Sequence, residues 1–465
     1  MNEQVGVRRF QTGHRRATIA LHAAMFIAAP GIVSAQPPDN ETPSLAQLVQ
    51  EYFAAEPAEK RDVLVPRIAE AATGSIPDVL AALRAVQVWT AADPRAASTV
   101  PTEANGQTTA FDVRLPTGYD SAKAHPVAIV LTAADKPVDH DPIVQAISRL
   151  DEPFVVIVPR AAPPSSFHAS ERGTDEVRAW LVAVRRRFHV DGDRVYLYGA
   201  AAGADAALTL ILTQPDVFAG AIINEGAFDG PYGRELLPLL LPNVRHTPLR
   251  LIWTEPLMPV GELLVGRDYD VALTGMIVRE TAARLDLPIT ETVLRPGEVP
   301  DYSFLNDWMT RRRPRVADTA RQFRFPAQGR SHFVRAIDLP PGAPGDAHSP
   351  WQGDQLHILT VGHTDPSAYV TSVLDSKLPK FTARIEGQSI DIRSTLCDAI
   401  ELHLPAGVVD FDKPVAIHHN GIRVFDGRLK PDVKTLLDSA YLEWEFQHPA
   451  VVRLRITARG TAVPF

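Results

Sequence analysis

Residues 193–218 read DRVYLYGAAAGADAALTLILTQPDVF, and this stretch decides the fold. The apolar run from Val195 to Tyr198 predicts a buried strand, and the alanine- and leucine-rich run after Gly203 predicts a helix. Gly199 and Gly203 flank the short connection between the two elements. Glycines at such places let the chain turn sharply and let two backbones approach closely. The stretch therefore predicts a strand, a tight turn and a helix in direct succession.

This stretch and the segment after it resemble the secreted esterases and polyester depolymerases of the α/β-hydrolase superfamily. In those proteins D-R-V-Y-L-x-G-x-S-x-G is followed by P-D-x-F-A-G, and the corresponding segments here run from Asp193 to Gly203 and from Pro215 to Gly220. The first motif forms their nucleophile elbow, a strained turn that lifts a serine hydroxyl above the sheet. Ala201 stands at the serine position, so the resemblance implies a hydrolase scaffold with a degenerate elbow. The alternative is an ordinary βαβ crossover of another doubly wound fold, in which the glycines serve only close packing.

On both sides of this stretch, strand-like and helical segments alternate. The strand-like segments are residues 126–131, 153–159, 249–254 and 289–294, and the helical segments are residues 175–187, 272–285 and 302–312. Residues 188–194 are polar and charged, and are expected to form an approach to the central strand rather than part of it. The alternation is typical of a parallel sheet with helices on both faces. Together with the resemblance, it predicts a three-layer α/β-hydrolase sandwich over residues 99–316.

Beyond this domain the hydrophobic period changes from that of helices to two. A basic run at residues 311–315 precedes the change and is interpreted as a solvated domain edge. The strand-like runs that follow are residues 323–325, 333–337, 355–361, 381–385, 390–392, 399–404 and 414–418. Asn420-Gly421 is the strongest short-range signal for a β-hairpin. Residues 317–465 are therefore predicted to form an all-β, sandwich-like domain.

The N-terminal residues have the pattern of an export signal. Four arginines precede an apolar run from Ala17 to Val33, and a small-x-small site ends at Ala35. This order is typical of a secretory signal peptide over residues 1–35. The alternative is a membrane anchor, but the run is short for a bilayer span. We therefore expect a secreted or periplasmic protein with no stable membrane span after cleavage.

Residues 36–98 are predicted to be a linker and a helical N-terminal segment. Apolar residues recur there at helical spacing, as in Leu45, Leu48, Val49 and Tyr52. A helix of this kind buries one face against a neighbour. The segment is expected to pack on the hydrolase domain.

Composition and residue usage exclude several kinds of site. The net charge of −8 would become about −11 without the signal peptide, which argues against a nucleic-acid partner. Cys397 is the only cysteine, so no internal disulfide is expected, and it is interpreted as a buried residue rather than a catalytic thiol. His418 and His419 are adjacent in a strand-like run and must point to opposite faces. Neither a metal site nor a cofactor is expected.

At each position where the resemblance places a catalytic group of a serine hydrolase, this sequence has a different kind of residue. Such an enzyme needs a hydroxyl, a histidine, a carboxylate and donors for the oxyanion. Leu257 or Met258 stands at the acid position, residues 295–302 contain no histidine, and the oxyanion loop at residues 131–135 ends in a carboxylate. No catalytic residue is therefore assigned. Five side chains are candidates for a displaced catalytic set: Ser166, His168, Glu225, Asp229 and Glu255.

The sequence supports three functional hypotheses. The first is a secreted, esterase-like protein without catalysis, which binds a small-molecule, polysaccharide or protein ligand through its cleft or its β domain. The second is an active serine hydrolase or carboxylesterase with a displaced catalytic set. The third is a structural or assembly component. Labelling by a serine-directed probe would separate the second hypothesis from the other two.

Overall fold

Three helices come first in the described part of the chain, and serine residues cap two of them. The structure is a computed structural model that describes residues 43–89, 98–104, 107–131, 142–159, 171–228, 233–255, 267–325, 328–340, 362–457 and 462–464. The three helices are α1 (Leu45–Ala54), α2 (Ala58–Ala71) and α3 (Ile76–Arg84). The Ser44 hydroxyl accepts a hydrogen bond from Gln47 N at 3.3 Å, and the Ser75 hydroxyl accepts one from Asp78 N at 3.3 Å. These side chains satisfy backbone donors that the first turn of a helix leaves unpaired.

Eight strands form the largest sheet. They are β1 (Ser98–Ala104), β2 (Gln107–Arg114), β3 (His125–Leu131), β4 (Val155–Pro159), β5 (Val190–Ala200), β6 (Gly220–Asn224), β7 (Leu249–Thr254) and β8 (Ile289–Leu294). Their order in the sheet is β1-β2-β4-β3-β5-β6-β7-β8. Strand β2 is antiparallel to both of its neighbours, whereas every pairing from β4 to β8 is parallel.

Helices cover both faces of this sheet. They are α4 (Pro142–Ile147), α5 (Glu171–Arg187), α6 (Ala202–Thr213), α7 (Gly233–Leu240), α8 (Arg267–Leu285) and α9 (Leu305–Trp308). In β3, Val127 and Ile129 belong to the same core as Trp180 of α5, whereas Ala128 and Val130 belong to the core that contains Ile143 of α4. Because β3 is buried on both faces, it reads as a nearly continuous apolar run. The predicted three-layer α/β sandwich is confirmed.

The helix predicted at residues 302–312 is present but shorter, since α9 runs only from Leu305 to Trp308. The Tyr196 hydroxyl donates to the carbonyl oxygen of Met309 at 2.8 Å, and Arg313 N donates to Asp193 O at 2.7 Å. Met309 O and Arg313 N would be bonded within a longer helix, but here they bond to β5. The chain therefore leaves the helix and runs beside that strand.

Strand β5 also begins earlier than predicted, at Val190, so the charged approach is part of the strand. Asp191 and Asp193 are buried there, with 8% and 7% of their surface exposed. Arg312 lies 2.9 Å from Asp191, and Arg313 lies 3.0 Å from Asp193. The basic run is therefore not simply a solvated edge, because two of its arginines neutralise carboxylates of the central strand.

The described residues after 317 form two five-stranded sheets with two helices. Its elements are β9 (Asp318–Gln322), β10 (Arg330–Ser331), β11 (Val334–Asp338), α10 (Pro366–Lys377), β12 (Lys380–Glu386), β13 (Ser389–Thr395), β14 (Ala399–Pro405), β15 (Val415–His419), β16 (Ile422–Gly427), α11 (Val433–Glu443), β17 (Ala450–Thr457) and β18 (Ala462–Pro464). The sheet orders are β10-β11-β14-β17-β18 and β16-β15-β13-β12-β9. Inward residues of both sheets, such as Phe381 and Leu402, share one core, as the predicted sandwich requires.

Individual strands of this region differ from their predicted positions. The hairpin at Asn420-Gly421 is confirmed, and both residues have positive φ angles, 51° and 82°. The strand predicted at residues 323–325 lies earlier, as β9, and the one predicted at residues 355–361 lies outside the described residues. Helices α10 and α11 were not predicted, although Asp432 caps α11 by accepting from Thr435 N at 2.7 Å.

The N-terminal helices share the core of the two smaller sheets rather than that of the hydrolase-like sheet. Tyr52 and Phe53 of α1 lie in the same hydrophobic core as Trp444 and Leu402. The ring centroids of Phe53 and Trp444 are 5.3 Å apart, and the Tyr52 hydroxyl donates to Asp438 at 2.9 Å. Trp89, after α3, contacts the hydrolase domain through a hydrogen bond from its Nε1 to Arg185 O at 2.7 Å. The expectation that the helices themselves bury their apolar face on that domain is wrong, because an amphipathic pattern shows that a face is buried but not against what. Within the described ranges, no helix combines the length and hydrophobicity that crossing a bilayer requires.

Candidate functional site

The turn after β5 has the strained geometry that an elbow requires. Ala201 joins β5 to α6 with φ 51° and ψ −126°, a backbone conformation that residues with a side chain rarely adopt. It lies at the exposed tip of the turn. Ala201 therefore keeps the conformation of an elbow but presents only a methyl group.

Close packing of the helix against the strand holds this turn in place. A Cβ atom at Gly199 would lie 2.5 Å from Ala207 Cβ, 2.6 Å from Gly203 O and 2.8 Å from Ala204 Cα. No side chain fits at such distances, so the position requires glycine. The small residues after the turn serve the same approach of α6 to β5.

The guanidinium group of Arg267 connects several parts of the elbow. Its Nη2 donates to Ala201 O at 2.8 Å, to Glu225 O at 2.7 Å and to Asp205 Oδ1 at 2.9 Å, and its Nη1 pairs with Asp205 Oδ2. Asp205 lies in the first turn of α6, is 3% exposed, and also accepts from Ala227 N at 2.7 Å. The first residue of α8 is thus tied to the turn and to the segment that follows β6.

Two of the candidate carboxylates lie at the same edge of the sheet as Ala201. Glu225 follows β6 with φ 59°, and its Oε1 accepts a hydrogen bond from the Thr254 hydroxyl at the end of β7. Glu255 follows β7, and its backbone N donates to Leu294 O at 2.8 Å. Because β5, β6 and β7 are adjacent and parallel, their carboxyl ends meet at this edge.

The remaining candidates lie outside the described residues. They are Ser166, His168 and Asp229, and the same holds for Leu257 and Met258 at the acid position and for residues 132–135 of the oxyanion loop. The structure therefore brings together Ala201, Glu225 and Glu255, and the displaced catalytic set stays a prediction.

Comparison with known proteins gives similarities of structure only. The sequence matches no protein-family model and no curated protein sequence. A thermostable esterase resembles it with a TM-score of 0.32 and 16% identity over 43% of this chain, which spans 55% of the esterase's length. A poly(3-hydroxybutyrate) depolymerase from Bordetella parapertussis has a TM-score of 0.34 and 16% identity, over 46% of this chain and 94% of its own. An IroE-like serine hydrolase from Shewanella oneidensis has a TM-score of 0.34 and 13% identity, over 46% of this chain and 78% of its own.

The strand order and the elbow, rather than these low scores, decide the fold. The parallel strands run β4-β3-β5-β6-β7-β8, the antiparallel β2 adjoins β4, and the strained turn at Ala201 joins the central β5 to a helix. The large sheet has the α/β-hydrolase fold. In this fold the nucleophile elbow stands at the carboxyl edge of the sheet, with the triad partners brought in from later in the chain.

The described residues at the carboxyl edge of the large sheet include no histidine. His125 begins β3, His189 immediately precedes β5 and His246 precedes β7, so all three lie at the amino edge. His125 Nε2 lies 3.0 Å from Asp120 N, and His189 Nδ1 lies 3.0 Å from Ser121 O. The hydrogen bonds of His125 and His189 are structural, and all three histidines lie at the opposite edge of the sheet from Ala201.

The loop after β8, where the resemblance places the histidine, is a closed turn. Arg295 N donates to Glu298 Oε2 at 2.9 Å, and Gly297 adopts φ 81°. In this loop a carboxylate caps its own backbone, and no imidazole is present.

Sequence reasoning missed Arg267 and Asp205. Asp205 directly follows the elbow motif and resembles an ordinary acidic residue in the first turn of a helix. Arg267 lies 62 residues later in the chain, and no local pattern connects the two. The only available signal was a charged residue in the otherwise apolar α6.

Proposed function

We propose that this chain is an esterase-like α/β-hydrolase-fold protein that does not hydrolyse esters and acts by binding a ligand or a protein. The observation that carries the proposal is the elbow itself. A methyl group stands at the strained position, and the guanidinium of Arg267 is bonded to the carbonyl oxygens of Ala201 and Glu225. The scaffold of the site is preserved, but its nucleophile is absent.

The chemistry supports this interpretation. Loss of the serine alone lowers kcat of a serine protease by about 10⁶-fold, and only oxyanion donors and binding then contribute. At the described part of the carboxyl edge, Glu225 and Glu255 supply carboxylates, but there is no imidazole to take a proton. A carboxylate without a nucleophile and a base does not support acyl transfer.

The test uses a fluorophosphonate probe and a panel of short-chain esters. The mature protein and its Ala201→Ser variant are expected to show neither labelling nor turnover, because the variant regains a hydroxyl but not a histidine. Labelling of the unchanged protein would contradict the proposal and would favour a displaced serine. Labelling of the variant alone would show that the nucleophile is the only missing group, and that the base lies outside the described residues.

We further propose that the protein is exported, with residues 1–35 as its signal peptide. The charged start, the apolar run and the small-x-small site support this. Expression of the full chain in a bacterial host, followed by fractionation and N-terminal sequencing, is expected to give a periplasmic or secreted product that begins at Gln36. Recovery of an uncleaved chain in the membrane fraction would instead indicate an anchor.

A further inference from the structure

A cavity of about 500 Å³ lies at the other edge of the sheet, between the hydrolase fold and the two smaller sheets. Asp193 of β5 lines it, eight residues before Ala201. At about 3.3 Å per residue of strand, the cavity is roughly 25 Å from the elbow. Its volume lies within the range of about 300–1,000 Å³ that small-molecule sites occupy.

One face of α5 forms a wall of this cavity. Arg178, Leu181, Val182 and Arg185 all line it, and their spacing places them on a single side of the helix. The face thus presents two guanidinium groups with apolar side chains between them. Phe333, Ile385 and Val408 add apolar surface from the smaller sheets.

Strong cationic partners neutralise two of the lining carboxylates. Asp216 is bonded by Arg321, which is fully buried behind the wall, and lies 3.7 Å from Arg178. Glu443 pairs with Arg330, whose charge lowers the pKa of Glu443 to about 2. Both acids are therefore ionised and compensated at neutral pH.

The other two lining carboxylates, Asp193 and Glu445, both lie near Arg313. Asp193 lies 3.0 Å from Arg313 and 3.1 Å from His448. Burial alone would raise the pKa of Asp193, but the hydrogen bonds and charges of His448 and Arg313 hold it well below its usual range. Glu445 lies 3.9 Å from Arg185 and 4.0 Å from Arg313, which is charge compensation without a hydrogen bond.

Positive charge exceeds negative charge around the cavity. Five arginines and four carboxylates line it, and Arg321 adds a sixth guanidinium through its bond to Asp216. His332 also lines the cavity, and burial lowers its pKa to about 4, so it adds no charge at neutral pH. Within the described lining itself, guanidinium groups therefore outnumber carboxylates, five to four.

Arg185 is a cationic group of the lining whose hydrogen bonds are incomplete. It is 7% exposed, its Nη1 donates to Glu443 O at 3.2 Å, and its Nε has no hydrogen-bond partner in the described structure. Burial lowers the pKa of Arg185, which means that its charged form is poorly solvated. A buried donor of this kind gains more from an anion than an exposed arginine would.

We propose that this cavity is a binding site for an organic anion, whose carboxylate or equivalent group meets Arg185 and Arg315 while its apolar body lies against Leu181 and Phe333. Arg315 is exposed and stands at the rim, and its Nη2 lies 2.9 Å from His448 Nε2. The site is separate from the elbow, so it does not depend on whether the elbow catalyses. The alternative is an ion-pair network that only joins the two parts of the fold.

The experiment measures binding of octanoate to the mature protein by isothermal titration calorimetry at low ionic strength. Octanol, octylamine and inorganic phosphate are titrated in parallel, to separate the contributions of the apolar body and of the anion. We expect saturable one-to-one binding of octanoate, and at least tenfold weaker binding of the other three. Failure of octanoate to bind would overturn the proposal, and so would phosphate binding as tight as that of octanoate.

Three variants locate the site. Arg185→Gln is expected to raise the Kd for octanoate by about tenfold or more. Val408→Trp fills the cavity without removing a charge and is expected to abolish binding, which keeps the test decisive if Arg185→Gln does not fold.

Arg187→Gln changes an exposed arginine on the same helix, is the matched control, and should bind octanoate as the unchanged protein does. Equal octanoate binding by all three variants would place the ligand elsewhere and overturn the proposal. Ala201→Ser should leave octanoate binding unchanged, which separates this result from that of the elbow.

Discussion

Ala201 carries a strained backbone conformation, with φ 51° and ψ −126°, although it has no nucleophile to present. Strain of this kind costs on the order of 1–3 kcal/mol and persists only where surrounding contacts impose it. Here the contacts are the close approach at Gly199 and the bonds of Arg267 to Ala201 O and Asp205. The elbow is thus held by its neighbours and not by its own residue.

Relief of that strain should stabilise the protein. Ala201→Gly is expected to raise the free energy of unfolding by about 1 kcal/mol, since the strain released exceeds the extra entropy of glycine in the unfolded chain. Urea unfolding followed by circular dichroism measures the change. Ala206→Gly, in the interior of α6, is the control and should lower stability by about 1 kcal/mol. A loss of stability in both variants would show that Ala201 is not strained.

His332 makes stability depend on pH. Burial lowers its pKa to about 4, a shift that the carboxylate of Asp216 opposes and that Arg313, Arg321 and His246 reinforce. An ordinary histidine has a pKa of about 6.5, so the unfolded chain binds the proton more tightly than the folded protein does. Stability is therefore complete above pH 6.5 and falls as the pH drops towards 4, by up to about 3 kcal/mol.

His332→Asn tests this dependence. His332 has φ 49°, a left-handed conformation that asparagine tolerates. The variant is expected to lose most of the decline in unfolding free energy between pH 6.5 and 4, as measured by urea unfolding at a series of pH values. An unchanged decline would assign the effect to another group. Below about pH 4.5, both proteins should lose stability further, because the Glu443 carboxyl binds a proton in the unfolded chain while its pKa of about 2 keeps it ionised in the folded protein.

At the scale of elements, β5 shows where a local pattern succeeds and where it fails. Its second half is apolar on both faces and was predicted as a buried strand. Its first half contains Asp191 and Asp193, which a local pattern interprets as solvated. Asp193 pairs with Arg313, more than 100 residues later in the chain, and Asp191 pairs both with Arg194, three residues later, and with the distant Arg312.

The β15–β16 hairpin follows local rules, and a substitution at Gly421 can test them. Gly421 has φ 82°, and a Cβ atom there would meet no atom within 4 Å, so backbone strain alone would oppose a side chain. Gly421→Ala is expected to lower the free energy of unfolding by about 1 kcal/mol. Gly118→Ala is the control, because that position has equal space and no positive φ, and its change should stay within about 0.5 kcal/mol. Equal effects in thermal or urea unfolding would contradict the argument.

At the scale of the whole molecule, the chain from Ser44 to Phe465 forms one compact unit. The N-terminal helices and the two smaller sheets share one hydrophobic core, although the hydrolase fold lies between them in sequence. The charged cavity then lies where α5 of the hydrolase fold meets the loops of the smaller sheets. Such a cavity exists only when both parts of the fold are present.

The shared core predicts that a change in α1 destabilises distant strands. Phe53 is 5% exposed, and its ring centroid lies 4.8 Å from that of Phe446. Phe53→Ala is expected to lower the free energy of unfolding by about 3–4 kcal/mol and to speed amide hydrogen exchange in β17. Val63→Ala on α2, a residue 68% exposed, should change neither. Unaltered exchange in β17 would show that the helices form a separate unit.

The sequence by itself determined the local elements and the scaffold. The glycines around the elbow, the apolar runs of β3, β4 and β6, and the Asn420-Gly421 turn act over a few residues, so each is readable without its partners. The missing nucleophile at Ala201 and the missing histidine after β8 were readable for the same reason.

Tertiary structure alone decided which charges and which faces meet. The contact of Arg267 with Asp205, the burial of Asp193 beside Arg313, and the sharing of a core by α1 and β17 join residues from about 60 to 400 positions apart. Hydrophobic burial is non-directional, and a charged residue looks the same in sequence whether water or a counter-ion solvates it. Only the folded chain therefore shows the cavity in which Arg185 is buried without a full set of partners.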